Sequence, residues 1–351
     1  MLFNHSVSSV DKLLVEKMMS KRLLLANALQ RLGAIRTLEM FRARAGILII
    51  NHHRVGDADL SRFDHGVFSA TAKQLDEQTK YLKRHFPIVC GDELEELVTG
   101  KKKLTRLHVS ITFDDGYLDN YTHAFDVLRS NNCPASFFLV PEYVGTNYVP
   151  WWDAIAYLIR NTEKEEISLQ LPVPLKLTLS KDREPAILAV LRHYKRADNT
   201  DGDAFMAELK NETECVIPDP GRRFLDWSEA KEMQNGGKTI GSHTYSHHIL
   251  GQLPLDSQRW ELEQSKRTME EQLGVEISTL AYPVGSITAF NQSTEEIARG
   301  LGYRMCFSFY GGLNTPGTFR PTDILRTSMP TEFSQFRAET TLLTHFGRLP
   351  Y

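Results

Sequence analysis

The sequence predicts an α/β fold built on a parallel sheet. Three features carry that expectation. Apolar runs of strand length recur along the chain, helix-like segments separate them, and the alternation repeats about seven times. The runs are GILII (46–50), LHVSITF (107–113), ASFFLV (135–140), KTIGS (238–242), ISTLAY (277–282), YRMCFSF (303–309) and DILRTS (323–328). Near-continuous apolar strands suit a sheet covered on both faces or a closed barrel, and the residues alone leave both standing.

The intervening segments have helical spacing. In SATAKQLDEQTKYLKRHF, Ser69 is placed as N-cap, with Ala72, Leu75, Leu82 and Phe86 on one side. The next helix runs from Asp256 to a stop at Gly274, and 293–301 and 331–345 look similar. FLDWSEAKEM (224–233) starts a further helix with Asp226 or Ser228 as cap. Residues 151–225 break the rhythm and read as an insertion with helices of its own. The expected organisation is an N-terminal helical extension over 1–45, a core over 46–330 with that insertion, and a C-terminal helix and tail over 331–351.

Composition bounds the function. The chain has 351 residues, 41% of them hydrophobic, enough for one large core. A net charge of −3 argues against nucleic acid as partner. Four scattered cysteines, with no CxxC pair, fit a reducing compartment. No secretory signal is visible near the N-terminus, and no stretch approaches the roughly 20 apolar residues of a membrane span. The expected location is therefore the cytoplasm. Residues 12–45 are basic and helix-prone, which is compatible with a peripheral contact at the inner membrane face, although a helix packed on the outside of the domain is the plainer account.

Chemistry concentrates where two apolar runs end. Asp114 and Asp115 follow 107–113 directly, and His243 and His247 follow 238–242. Ligands of parallel α/β proteins gather at such C-terminal strand ends. Two imidazoles spaced i, i+4 with one carboxylate form a set suited to Zn²⁺ or another divalent ion, Co, Ni, Mn and Fe included. The second aspartate is then free to act as base on a metal-activated water. Singly, DDG is an ordinary capped turn and HxxxH an ordinary helix face. Their joint placement favours the chemical reading.

TFDDG (112–116) with SHTYSH (242–247) resembles the polysaccharide deacetylase family, the chitooligosaccharide deacetylase-like carbohydrate esterases. The resemblance runs from about residue 46 to 328 and includes PASFFLV and LAYPVGS (280–286). It implies a distorted (β/α) barrel of about seven strands with a helical insertion. It further implies Asp114 as general base, Asp115, His243 and His247 as metal ligands, and the Val284 N–H as oxyanion donor. Two departures stand out. Ala281 occupies the place of the arginine that orients the base, and Leu325-Arg326-Thr327 replaces the usual Leu-x-His. ILIINHHRV resembles the YHRV strand end of deacetylases with rearranged motifs. There His53 would be the acid, His52 would stand where tyrosine is common, and Arg326 would orient Asp114. The alternative is that both histidines are packing residues. His248 is expected to face away. Trp151, Trp152 and Asp153 are weighed equally as sugar contacts and as core.

The activity implied is metal-dependent removal of N-acetyl groups from an aminosugar polymer, oligomer or lipid-linked saccharide. The same site chemistry would serve a de-O-acetylase, a deformylase or a small-amide amidase. A non-catalytic carbohydrate-binding protein and a purely structural metal site are readings of different classes. The sequence leaves the oligomeric state open.

Overall fold

The computed structural model describes residues 23–347 and 349, apart from Ala197, so the part of the basic segment before residue 23 lies outside the described residues. The described chain forms two compact units, one of residues 58–66 and 148–221 and one of the remainder.

The larger unit is a curled half-barrel. Its strands are β1 (Gly46–His52), β4 (Leu107–Phe113), β5 (Ser136–Leu139), β8 (Thr239–Ser242), β9 (Thr279–Ala281) and β10 (Met305–Phe307). Between them in the chain lie β2 (Arg54–Val55), β3 (Phe68–Ala70), β6 (Glu166–Leu169) and β7 (Leu175–Thr178). The main sheet has the order β1-β4-β5-β8-β9-β10, and every pairing in it is parallel. All seven residues of β1 and all seven of β4 are buried, so both faces are covered and strict alternation is not needed. At Gly241 in β8 a Cβ would lie 2.4 Å from Thr279 Oγ1 and 2.7 Å from the Phe138 ring, so only glycine lets β8 approach its neighbours this closely.

The expected strand over 323–328 takes another form. Ile324 bridges Phe307 of β10 and Thr327 bridges Ile50 of β1, both parallel. Ile324 N–H donates to Cys306 O (2.8 Å) and Thr327 N–H to Ile49 O (2.9 Å). The segment spans the gap between the two edge strands as an extended seam. It shares only one bridge with each side, too few for a strand of its own.

Helix Ala72–His85 starts two residues later than Ser69 implies. Thr71 is the N-cap, in a reciprocal capping box with Gln74. Ser69 lies in β3, where its hydroxyl accepts from His53 N–H (3.0 Å). The other helices expected in this unit are present as Leu255–Leu273, ended by left-handed Gly274, Trp227–Asn235, capped by Asp226, Gln292–Gly300 and Phe333–Phe346. Near the N-terminus, Ala26 and Ile35 pack against Ala338 and Leu342 of the C-terminal helix, and Glu39 pairs with Arg337. This is a helix packed on the outside of its domain. No helix of the described residues is long and apolar enough to cross a membrane.

The smaller unit is not purely helical. Helices Trp151–Asn161, Glu184–Tyr194 and Gly202–Thr213 accompany the antiparallel hairpin β6–β7. Trp152 is buried, Trp151 stacks on Tyr194 with centroids 4.2 Å apart, and Asp153 Oδ1 accepts from Asp64 N–H (3.0 Å). Of the two readings of these three residues, the packing one describes them.

His52 ends β1 and stacks on Phe113, centroids 4.9 Å apart. Burial pushes its imidazole down to about 4, against hydrogen bonds that raise it. The unfolded chain protonates this histidine near 6.5 and the folded chain only near 4. Its contribution is therefore intact above pH 6.5 and lost as pH falls through 4, about 3 kcal/mol in all. In chemical denaturation at stepped pH, His52→Phe should flatten the decline in stability between pH 6.5 and 4. An unchanged slope would contradict the assignment.

Candidate metal centre and its neighbouring carboxylate

At the C-terminal ends of β1, β4 and β8 the larger unit brings together His53, Asp114, Asp115, His243 and His247. Immediately after β4, Asp115 (φ 73°) and Gly116 (φ 73°) are both left-handed, which turns the chain sharply beneath the two carboxylates. After β8, Thr244 and His247 are also left-handed, each at φ 63°. The loop thereby curls so that both imidazoles approach one carboxylate.

Asp115 Oδ1 lies 3.5 Å from His243 Nε2 and 3.3 Å from His247 Nε2. The three ligand atoms all lie within 4.8 Å of one another, and all three residues are buried. Four-coordinate ions with bonds of about 2.0–2.2 Å place neighbouring ligand atoms roughly 3.3 Å apart. Asp115 Oδ1 is buried and accepts no hydrogen bond of good geometry, so its lone pairs are directed at the space the imidazoles share. His243 Nδ1 contacts Ala281 O at 2.7 Å, which puts the ring proton on Nδ1 and leaves Nε2 as a donor atom for a cation. Ala281, expected in place of an arginine, thus fixes the direction of the His243 ring through its carbonyl. These residues fit a divalent ion.

Asp114 has a different environment. Arg326 grips it in a fork, Nη1–Oδ1 2.7 Å and Nη2–Oδ2 2.9 Å, and Asn51 Nδ2 donates to Oδ2 at 2.9 Å. Arg326 is fully buried, and its remaining donors reach Ser308 O (3.0 Å) and Asn51 Oδ1 (2.8 Å). Thr112 Oγ1 donates to the same Asn51 Oδ1 (2.6 Å). Asp114 Oδ2 stands 4.0 Å from His243 Nε2 and 4.0 Å from His53 Nε2. The carboxylate of Asp114 therefore sits beside the Asp115–His243–His247 cluster without being part of it.

The charges follow from these neighbours. Burial pushes Asp114 up, but the Arg326 charge, then His243 and His53, hold it below its ordinary value. Burial also opposes ionisation of Asp115, but its close contacts with His243 and His247 outweigh that and hold the carboxyl below its ordinary value. His53 is held low by burial despite both carboxylates. Burial lowers His247 as well. His243 is raised, since the charge of Asp114 and the contact with Asp115 outweigh its burial.

The other expected residues are placed as follows. His53 keeps about a quarter of its side chain exposed and leans edge-on against Phe309, centroids 5.8 Å apart. Val284 (φ 62°) precedes left-handed Gly285 in the turn after β9, and that turn is tied down by Phe309 N–H to Gly285 O (2.7 Å). His248 faces away, towards Glu261 (3.3 Å), with half of its side chain exposed. Sequence reasoning missed two residues. Asn51, in β1, lies two residues before His53, which follows the strand's end, and both side chains reach Asp114 Oδ2, a spacing that could have identified it. Glu261 is buried and accepts from the Tyr245 and Ser246 N–H groups, 2.9 Å each, bracing the loop that carries His243 and His247; its polar helix offered no signal.

Comparison with known proteins identifies the family and the fold. Residues 101–306, well over half of the chain, match the polysaccharide deacetylase family model, and the chain belongs to that family. YxkH of Bacillus subtilis (strain 168), which bears a provisional polysaccharide deacetylase name, is 22% identical over 261 residues, covering 74% of this chain and 63% of YxkH. The chain thus spans under two thirds of the length of that curated relative. Among solved structures, IcaB from Ammonifex degensii superposes with a TM-score of 0.56 at 20% identity, covering 85% of this chain and 98% of IcaB. The Streptococcus pyogenes deacetylase PplD, in complex with acetate, gives 0.55 at 16%, with the same coverages. Both likenesses bear on the fold. The family match starts after β1 and ends before the seam, so Asn51, His53 and Arg326 all lie outside it.

Removing Arg326 would strand a buried carboxylate. Arg326→Met is expected to cost about 3–5 kcal/mol of unfolding free energy in urea titrations, with part regained by adding Asp114→Asn. Wild-type stability in the single variant would show that the pair contributes nothing.

Proposed function

We propose that this chain is a metal-dependent hydrolase that removes N-acetyl groups from an aminosugar polymer, oligomer or lipid-linked saccharide. One observation carries the reading. Adjacent carboxylates occupy two distinct environments, Asp115 against His243 and His247, and Asp114 in the fork of Arg326 beside them. A site that only stored a metal would not need the second carboxylate held ionised at 4.0 Å from a ligand histidine.

Asp115, His243 and His247 would hold the ion, and Zn²⁺ suits this mixed oxygen and nitrogen donor set, with Co, Ni, Mn and Fe sharing the preference. When bound, it supplies Lewis acidity and lowers the pKa of its water to about 7. Asp114 takes the proton from the water that attacks the acetyl carbonyl. Arg326 and Asn51 fix the direction of that carboxylate and keep it ionised before the step. The Val284 N–H donates to the oxyanion as the carbonyl carbon becomes tetrahedral. The C–N bond then breaks, and His53 gives a proton to the leaving nitrogen. That proton is the one Asp114 took from the water, passed on through the His53 imidazole, while the hydroxyl stays on the acyl carbon as acetic acid, so both residues return to their starting states.

The test combines metal analysis with acetate release from N-acetylglucosamine oligomers. Asp114→Asn should keep its metal and lose about 10²–10⁴-fold in turnover. His243→Ala should lose both metal and turnover. Normal turnover in Asp114→Asn, or full metal content in His243→Ala, would overturn the assignment.

A further inference from the structure

Helix Leu255–Leu273 follows the metal-ligand loop and buries Gln258, Glu261, Leu262, Ser265, Met269 and Leu273. Trp260 is not on that face, and half of its surface is open. An indole is among the largest apolar surfaces a side chain offers, and here it is left uncovered at one place on a mostly polar helix. It forms a wall of a cavity of about 420 Å³, completed by Leu253, His248, Asp256, Ser257 and Glu261. Ligand cavities measure about 300–1,000 Å³ and pair an apolar wall with a few polar groups. An aromatic surface sharing a cavity with hydroxyl, carboxyl and imidazole groups complements a pyranose ring, whose C–H face is apolar and whose rim carries hydroxyls.

The cavity is joined to the ligand loop. Tyr245, between the two ligand histidines in sequence, sets its ring edge-on to Trp260, centroids 5.2 Å apart. Glu261, in the cavity wall, accepts the N–H groups of Tyr245 and Ser246. His248, also in the wall, directly follows His247.

We infer that this cavity is a carbohydrate subsite in which Trp260 stacks on a sugar ring of the same saccharide chain whose acetyl group lies at the Asp115–His243–His247 cluster. The inference rests on the deacetylase reading and deepens it: the substrate is an extended saccharide, gripped at a ring other than the one that reacts.

Binding is measured by calorimetry in the Asp114→Asn background, with N-acetylglucosamine hexamer and monomer as probes. Adding Trp260→Ala should weaken hexamer binding about tenfold relative to monomer binding, the scale of one lost aromatic stack. Trp260→Phe should restore most of the loss, and thermal melting checks that the variants fold. In turnover, the hexamer KM should rise with kcat little changed. Equal weakening of hexamer and monomer, or no weakening, overturns the subsite. Acetate release from hexamer with the same KM in wild type and Trp260→Ala removes the subsite and leaves the deacetylase. Trp260-dependent hexamer binding without any acetate release removes the deacetylase and leaves the subsite. A chain that neither binds hexamer nor releases acetate removes both.

Discussion

The fork between Arg326 and Asp114 is the constraint on which the arrangement of the site depends. A guanidinium with no exposed surface loses its hydration entirely, and such burial is tolerated only where its donors are matched. Here they meet Asp114, Asn51 and the Ser308 carbonyl, inside a ring of Phe138, Phe307 and Phe309. The same residue sits on the seam that spans β10 and β1. The segment that spans the sheet's two edges therefore also supplies the partner of one carboxylate. Without the seam, Asp114 would face its neighbour Asp115 with no fixed cation to offset it.

The second constraint is in the backbone. Asp115, Thr244, His247 and Val284 all take positive φ, which costs a non-glycine residue of order 1 kcal/mol or more. All four lie in the turns that follow β4, β8 and β9. Rigid surroundings keep them there: the Glu261 carboxylate under Tyr245 and Ser246, and the Phe309 N–H on Gly285. Strain of this kind is expected where side chains must converge more tightly than relaxed turns allow.

Much of this was legible in the sequence, because six of the strands are plain apolar runs and ligands collect at one end of such strands. β4 matches its run residue for residue, and the aspartates follow at once. Other features depend on information that the pattern of apolar residues does not contain. The segment 323–328 has strand composition, yet its pairing is limited by the width of the gap it spans. Ser69 and Thr71 are both good caps, and Gln74 decides for Thr71 by standing three residues on. The hairpin β6–β7 is interrupted by two prolines, which reads as loop, but they fall between its strands. Asn51 was overlooked beside two histidines that drew the attention of any search for an acid.

The placement of Arg326 also bears on how the molecule matures. Chains emerge and fold from the amino end, so β1, β4 and β5 can pair while the last fifty residues are still unmade. During that interval Asp114 has no guanidinium partner and stays open to water. The fork can form only when the seam is laid down, so this end of the sheet is completed late, at the step that closes the wall.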